Sequence, residues 1–197
     1  MKTKILIIYA HPDTEPRGNG YHILSEVGNM LLSANRTYAL VDLYKDRFNP
    51  VMQKEEHYVS GGKDISPEVL AYQKMLSGAE HIVIIHPVWW GGMPAILKGF
   101  FDRVLTPGFG YQYENGRPKK LFSEKKAVVF ITTGGPAWYS LVLQEARAQR
   151  NISRDILGFL GIKTKVFLLA KAGRVTEETK PRIQKLAARG ISHLFAK

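Results

Sequence analysis

Apolar positions along the chain follow two alternating rhythms. Five short runs are rich in Val and Ile and mostly apolar on both faces: "KILIIYA" (4–10), "RTYALVDL" (36–43), "EHIVIIHP" (80–87), "KAVVFITT" (126–133) and "TKVFLLA" (164–170). Continuous apolar runs of this length suit parallel strands covered by helices on both sides. Between and after them, helical spacing predicts elements near 20–34, 66–78, 94–105, 140–160 and 176–195. The third is clearest. Pro94 fits a first helical turn, Leu97, Phe100, Phe101 and Val104 form an i, i+3, i+4, i+7 stripe, and "TPG" ends it.

Strand and helix alternate five times, the pattern of an open doubly wound sheet. Five strands favour the flavodoxin-like order 2-1-3-4-5, a three-layer α/β sandwich, over the six-strand dinucleotide fold. At 197 residues the chain reads as one domain, 1–197. The order has a chemical consequence. If the first, third and fourth strands lie side by side, the segments after their carboxyl ends meet at the topological switch point, where such sheets bind ligands. Those segments are "HPDTEPRGN", "HPVWWGGMP" and "TTGGPAWYS".

Composition narrows the field. No apolar run approaches the roughly 18 residues that span a bilayer, and the apolar part of "MKTKILIIYAHPD" is short for a secretory signal, so a cytoplasmic protein is expected. The absence of cysteine excludes thiol nucleophiles and cysteine-ligated metals. The charge of +11 is spread along the chain, with "RPKKLFSEKK" the one dense cluster. That suits a solvated basic surface around a site for phosphorylated ligands better than a nucleic-acid stripe. His22, His57, His81 and His193 have no metal-site spacing, and His86 is left as a strand-end hydrogen-bond partner.

In the first loop, His11 and Arg17 precede a helix starting near Gly18 or Asn19. An anion there meets two side-chain donors, backbone N–H groups and the positive end of a helix dipole; the alternative is that His11 is simply a hydrogen-bonded structural residue after the strand. The Walker pattern and G-x-G-x-x-G are both missing, which disfavours ATP chemistry and a Rossmann NAD site. Trp89 and Trp90 offer a flat apolar wall. Gly91, Gly92, Gly134 and Gly135 let backbone approach a planar ligand and read its polar edge. The alternative is that the tryptophans pack under their loop against the third helix while the glycines only turn the chain.

"HPVWWGGMPAILKGFFDRV", then "GFGYQY", then "KKAVVFITTGG", resembles the NAD(P)H:quinone oxidoreductase family of flavodoxin-like flavoproteins. "DLYKDRFNPVM" and "ILGFLGIK" extend the likeness over nearly the whole chain. The resemblance implies a homodimer with a flavin at each of two sites. Carried over by position, His11 and Asn19 belong to the phosphate and ribityl loop, and Pro87, Val88, Trp89, Trp90 and Gly91 form the wall and edge of the flavin ring. Thr132, Thr133, Gly134 and Gly135 supply the other backbone edge, and Tyr139 lies at its pyrimidine end. Tyr111 and Tyr113 resemble the aromatic pair over the nicotinamide or quinone pocket. Apart from the resemblance, that pair reads as an exposed hairpin with alternate aromatics on the core. Two departures stand out. Pro16 replaces a small hydroxyl residue, making Arg17 its substitute at the phosphate. The histidine that longer members carry six residues after the tyrosine has no match here, where the count reaches Glu145.

The implied activity is two-electron, ping-pong transfer from NADH or NADPH through flavin to a quinone-like acceptor, with Tyr139, Tyr111 and Tyr113 as the catalytic set. FMN is preferred to FAD because the segment after the second strand is shorter than in long FAD-binding members. Backbone donors from "TTGG" and the Tyr139 phenol would stabilise the charge of a reduced flavin by preorganised electrostatics. The same resemblance includes ancillary subunits of potassium-efflux transporters, the alternative reading, which would associate peripherally with a membrane protein. A flavodoxin-type carrier suits the basic charge poorly.

Overall fold

The computed structural model describes residues 4–13, 18–57 and 65–196. Five parallel strands form one sheet: β1 (Ile5–Tyr9), β2 (Tyr38–Asp42), β3 (His81–Pro87), β6 (Lys126–Thr132) and β7 (Lys163–Leu169). Their order is β2-β1-β3-β6-β7. This is the expected order, with an antiparallel hairpin of β4 (Tyr111–Glu114) and β5 (Arg117–Lys120) inserted before the fourth sheet strand. The register places Ile7 of β1 beside Val83 of β3, which in turn pairs with Val128 of β6.

Successive strand residues point to opposite faces, so each strand feeds two cores. Leu6, Ile8, Ile82, Ile84, Val129 and Ile131 pack on one face against α2 (Pro67–Gly78), α3 (Ala95–Val104) and the segment around Leu157. Ile5, Ile7, Val83, Ile85, Val128 and Phe130 pack on the other against α1 (Asn19–Ser33) and α5 (Thr179–Phe195). Gly190 of α5 is required by contact, since an added Cβ would overlap the Phe130 ring. The two edge strands depart from the expected burial on both faces: β2 leaves Ala39 and Leu40 exposed, and β7 leaves Lys163 and Lys165 exposed.

A buried ion pair fixes the α2–α3 side. Arg103 of α3 is 3% exposed. Its Nε and Nη2 donate to the two Glu56 carboxylate oxygens at 2.7 and 2.6 Å, and its Nη1 donates to the Asn49 carbonyl at 2.6 Å. Nη1 also reaches Glu68, and Nη2 reaches Ser66, the N-cap of α2, both at 3.3 Å. The guanidinium hydrogen bonds hold Glu56 below the ordinary carboxylate value, and the same bonds raise Arg103. The basic cluster also divides. Arg117–Lys120 are exposed on β5, whereas Lys125 is buried and donates to the carbonyls of Ala79 and Ser77, capping the end of α2.

The single helix expected over 140–160 is not formed. A π-helical turn, Tyr139–Leu143, closes with Gln144 N–H on the Tyr139 carbonyl at 3.0 Å. Glu145 and Ala146 then adopt left-handed conformations, with φ of 50° and 52°. A short α4 (Arg147–Arg150) and a second π-helical stretch, Asn151–Ile156, follow. The pattern explains the break. Ala148, Ile152, Leu157 and Leu160 enter the core at helical spacing, but Leu141, Val142 and Leu143 are consecutive and all exposed. Three apolar residues in a row cannot lie on one helical face.

Candidate functional site

The three loops meet as their strands require. His11, Pro87, Val88, Trp89, Thr132, Thr133 and Gly134 line one cavity of about 180 Å³, together with Ala172 from the loop after β7. A larger hollow, about 370 Å³, lies at the opposite end of the sheet around Lys4, Thr37 and Lys74, away from the glycine loops.

On the β1 loop, His11 Nδ1 accepts the Asp13 backbone N–H at 3.0 Å. That bond places a neutral ring's proton on Nε2, leaving a donor. Burial lowers the His11 pKa, against the opposing pull of Asp13, so the neutral form is favoured. Tyr9 is fully buried and donates from its hydroxyl to the Asp13 carbonyl at 2.9 Å. A Cβ on Gly20 would sit 3.3 Å from both the Tyr9 hydroxyl and the His11 ring. Helix α1 therefore starts hard against this pair. Its N-cap, Gly18, offers no side chain, and the buried Asn19 Oδ1 has no partner among the described residues. A capless helix start with an orphaned acceptor fits a phosphate followed by a hydroxyl-bearing chain. Arg17 and Pro16 lie outside the described residues.

The β3 loop is a two-residue turn. Trp89 and Gly92 exchange both backbone hydrogen bonds at 3.0 Å, with Trp90 and Gly91 at its tip at φ of 51° and 77°. Positive φ at both central positions is the type I′ geometry. Trp90 projects fully into solvent and Trp89 is 42% exposed. The tryptophans thus do not pack beneath the loop. Below them, Val88 N–H donates to the Thr132 carbonyl at 2.8 Å, tying this loop to β6. His86 is fully buried, and burial pushes its pKa down to about 4. Its Nδ1 donates to the Pro87 carbonyl at 2.8 Å. This is the strand-end hydrogen-bond role that the sequence suggests for His86, here directed at the carbonyl of a residue in the cavity wall.

The β6 loop is tied on its other side. The Thr133 carbonyl accepts Ala172 N–H at 2.9 Å and the Gly135 carbonyl accepts Lys171 N–H at 3.0 Å. Tyr139 is half exposed, and its ring edge lies 3.9 Å from the Cβ position of Gly135. It therefore stands beside the glycine loop. Tyr111 and Tyr113 do not. They sit edge-on to each other at 5.7 Å, with Tyr111 against Phe159. They line a separate cavity of about 310 Å³ with Met52, Glu56, Phe101 and Thr106. Within one chain the tyrosine pair and the glycine loops belong to different cavities. Among the described residues, no helix is long and apolar enough to cross a membrane.

The profile of the flavodoxin-like fold matches residues 3–194. The chain is 36% identical over 129 residues to an uncharacterized NAD(P)H oxidoreductase of Haemophilus influenzae, covering 66% of this chain and 63% of that protein. It thus spans just under two thirds of that relative's length. It is 31% identical over 138 residues to an FMN-dependent NADH:quinone oxidoreductase of Coprothermobacter proteolyticus, covering 67% and 68%. Among solved structures, an NAD(P)H:quinone oxidoreductase from Methanothermobacter marburgensis superposes with a TM-score of 0.84 at 25% identity, covering 96% of this chain and 97% of that one. The sheet order, the converging glycine loops and these likenesses agree that the chain belongs to the flavodoxin-like NAD(P)H:quinone oxidoreductase family.

Proposed function

We propose that the protein is a flavin-dependent NAD(P)H:quinone oxidoreductase, with FMN as its cofactor and a small quinone as its acceptor. The observation that carries this reading is the single cavity shared by His11, Trp89 and Gly134 from three separate strand ends. Bound there, a flavin supplies two-electron hydride transfer.

The chain's own residues bind and orient. His11 Nε2, Asn19 and the start of α1 hold the phosphate and the polyol. Pro87, Val88, Trp89, Trp90 and Gly91 present the wall of the ring, and Thr132, Thr133, Gly134 and Gly135 line its other edge. Tyr139 stands beside that edge, where its phenol donates to charge at the pyrimidine end.

The protein acts as a two-fold dimer. Trp138, Leu141, Val142 and Leu143 are more than half exposed beside the site, and with Trp90 they make an apolar surface that a lone chain leaves in water. Tyr111 and Tyr113 line the acceptor slot when one copy's hairpin approaches the loops of the other.

Steady-state turnover with NADH or NADPH and menadione tests the activity, after FMN binding is read from the quenching of its fluorescence. Parallel double-reciprocal lines are expected, because one slot serves both substrates in turn. A protein that binds neither FMN nor FAD sinks the assignment. Sedimentation at about 22 kDa with full turnover would dismiss the dimer. Turnover restored by mixing Trp89→Ala and Tyr113→Ala protomers would support a site shared between copies.

A further inference from the structure

The segment after Tyr139 bridges two of the three loops. At its start the Tyr139 ring lies against Gly135; at its end Gln144 lies against Gly91, with Nε2 3.8 Å from the position a Cβ would take there. The backbone between them is a π-helical turn stopped by two consecutive left-handed residues, Glu145 and Ala146. Such irregular, strained backbone is concentrated at functional sites. It is also anchored. Ser140 is buried and its hydroxyl accepts Gln149 Nε2 at 3.2 Å, while Ala146 N–H donates to the Ser140 carbonyl at 3.0 Å. Gln144 itself is half buried, and among the described residues its carboxamide has no protein partner. The fold therefore holds an unengaged amide donor over the glycine at the tip of the Trp89–Gly92 turn.

We propose that Gln144 is a specificity residue whose Nε2–H donates to a carbonyl oxygen of the quinone acceptor above Gly91. The inference rests on the flavin-dependent reading given above. Two-electron reduction of a quinone places negative charge on a carbonyl oxygen, which water then protonates to complete the hydroquinone, while the nicotinamide donor is oxidised to NAD(P)+. A neutral donor fixed at that oxygen binds the quinone and stabilises the growing charge. Gly91 suits the turn through its positive φ, and lacking a side chain it leaves the space facing the amide open, where a Cβ would stand in ordinary contact with Nε2 at 3.8 Å.

The test uses the FMN-loaded protein and three variants, Gln144→Leu, Gln144→Glu and Gln144→His. Menadione is titrated into the oxidised holoprotein, where no electrons are available, and its Kd is read from the flavin absorption spectrum; its KM is measured in turnover. Loss of one neutral hydrogen bond should raise both by about fivefold to tenfold in Gln144→Leu. Gln144→Glu, which lacks the donor, should lose as much, and Gln144→His, which keeps one, should recover most of it. The FMN Kd should stay within about twofold in all three. An unchanged menadione Kd in Gln144→Leu overturns the inference. So does an equal rise in the FMN Kd, which would assign the amide to the cofactor. Failure of the unsubstituted protein to bind FMN would remove the underlying reading instead, and would show before any variant is made.

Discussion

Two turns in this protein share one backbone shape and carry very different residues. Asn115 and Gly116 join β4 to β5 with φ of 51° and 75°; Trp90 and Gly91 close the β3 loop with φ of 51° and 77°. Asparagine tolerates the left-handed region, and Asn-Gly is the usual solution for a type I′ turn. Tryptophan is not. A bulky residue held there costs roughly 1–2 kcal/mol, and Trp90 recovers none of it by packing, being fully exposed. The hairpin turn is thus relaxed, whereas the turn at the cavity holds a bulky, solvent-exposed indole in a strained conformation. The contrast extends to the surroundings. Arg103 is surrounded by acceptors, while among the described residues Asn19 Oδ1 and the Gln144 amide at the loop end have no protein partners.

If frame and mouth are built for different purposes, substitutions should separate in the same way. The largest effect belongs to the frame. Arg103→Met leaves the Glu56 carboxylate buried without its partner and should cost about 3–5 kcal/mol in urea unfolding, with little change in the FMN Kd of the folded fraction. Next comes the mouth. His11→Phe should weaken FMN by about 1.5–3 kcal/mol, the worth of a hydrogen bond to a charged phosphate, with an unchanged melting temperature. A drop in melting temperature as large as that of Arg103→Met would erase the distinction.

The two turns themselves give smaller effects. Trp90→Asn should stabilise the cofactor-free protein by about 1 kcal/mol and weaken FMN binding, and Asn115→Trp should destabilise by a similar amount without touching FMN. Opposite signs on one backbone shape are the signature to look for in paired denaturation curves. The gentlest change is in pH. The folded pKa of Glu56 is lowered, so its contribution is fully present above the ordinary carboxylate value of 4.5 and is lost as pH falls through the folded value. The stability gap between the natural protein and Glu56→Gln should therefore narrow on acidification below that value, and a gap that widens would contradict the ion-pair account.

Much of this was legible from residue order. Val- and Ile-rich runs located all five sheet strands to within a residue or two; the inner three, β1, β3 and β6, are buried on both faces and have no polar register to hide them, while the edge strands β2 and β7 keep enough apolar residues to show. The spacing of "HPVWWGGMP" and "TTGG" likewise located two loops of the cavity, and His11 a third. What escaped was decided by contacts between distant segments. The Glu56–Arg103 pair joins positions 47 apart in sequence, a separation without periodic signal. The break after Gln144 depends on which apolar side chains find a core. Trp90 gives no warning of a left-handed turn, although "NG" at 115–116 would have announced the hairpin. The resemblance groups Tyr111 and Tyr113 with the glycine loops, and a single chain does not unite them.

The β4–β5 hairpin lies outside the five-stranded sheet: β4 and β5 pair with each other, Tyr111 also bridges to Pro107, and among the described residues none of the sheet's registers passes through the hairpin. Apart from Tyr111, which also packs on Phe159, its strand residues are mostly exposed and open to substitution. Insertions, deletions or exchanges between Tyr111 and Lys120 can reshape one wall of the 310 Å³ cavity without shifting a strand by one residue, whereas a comparable change in β3 would turn its core side chains to the wrong face. Under the function proposed above, acceptor preference should therefore be changeable through the hairpin on an unaltered sheet, and directed libraries confined to the hairpin should yield mostly folded proteins.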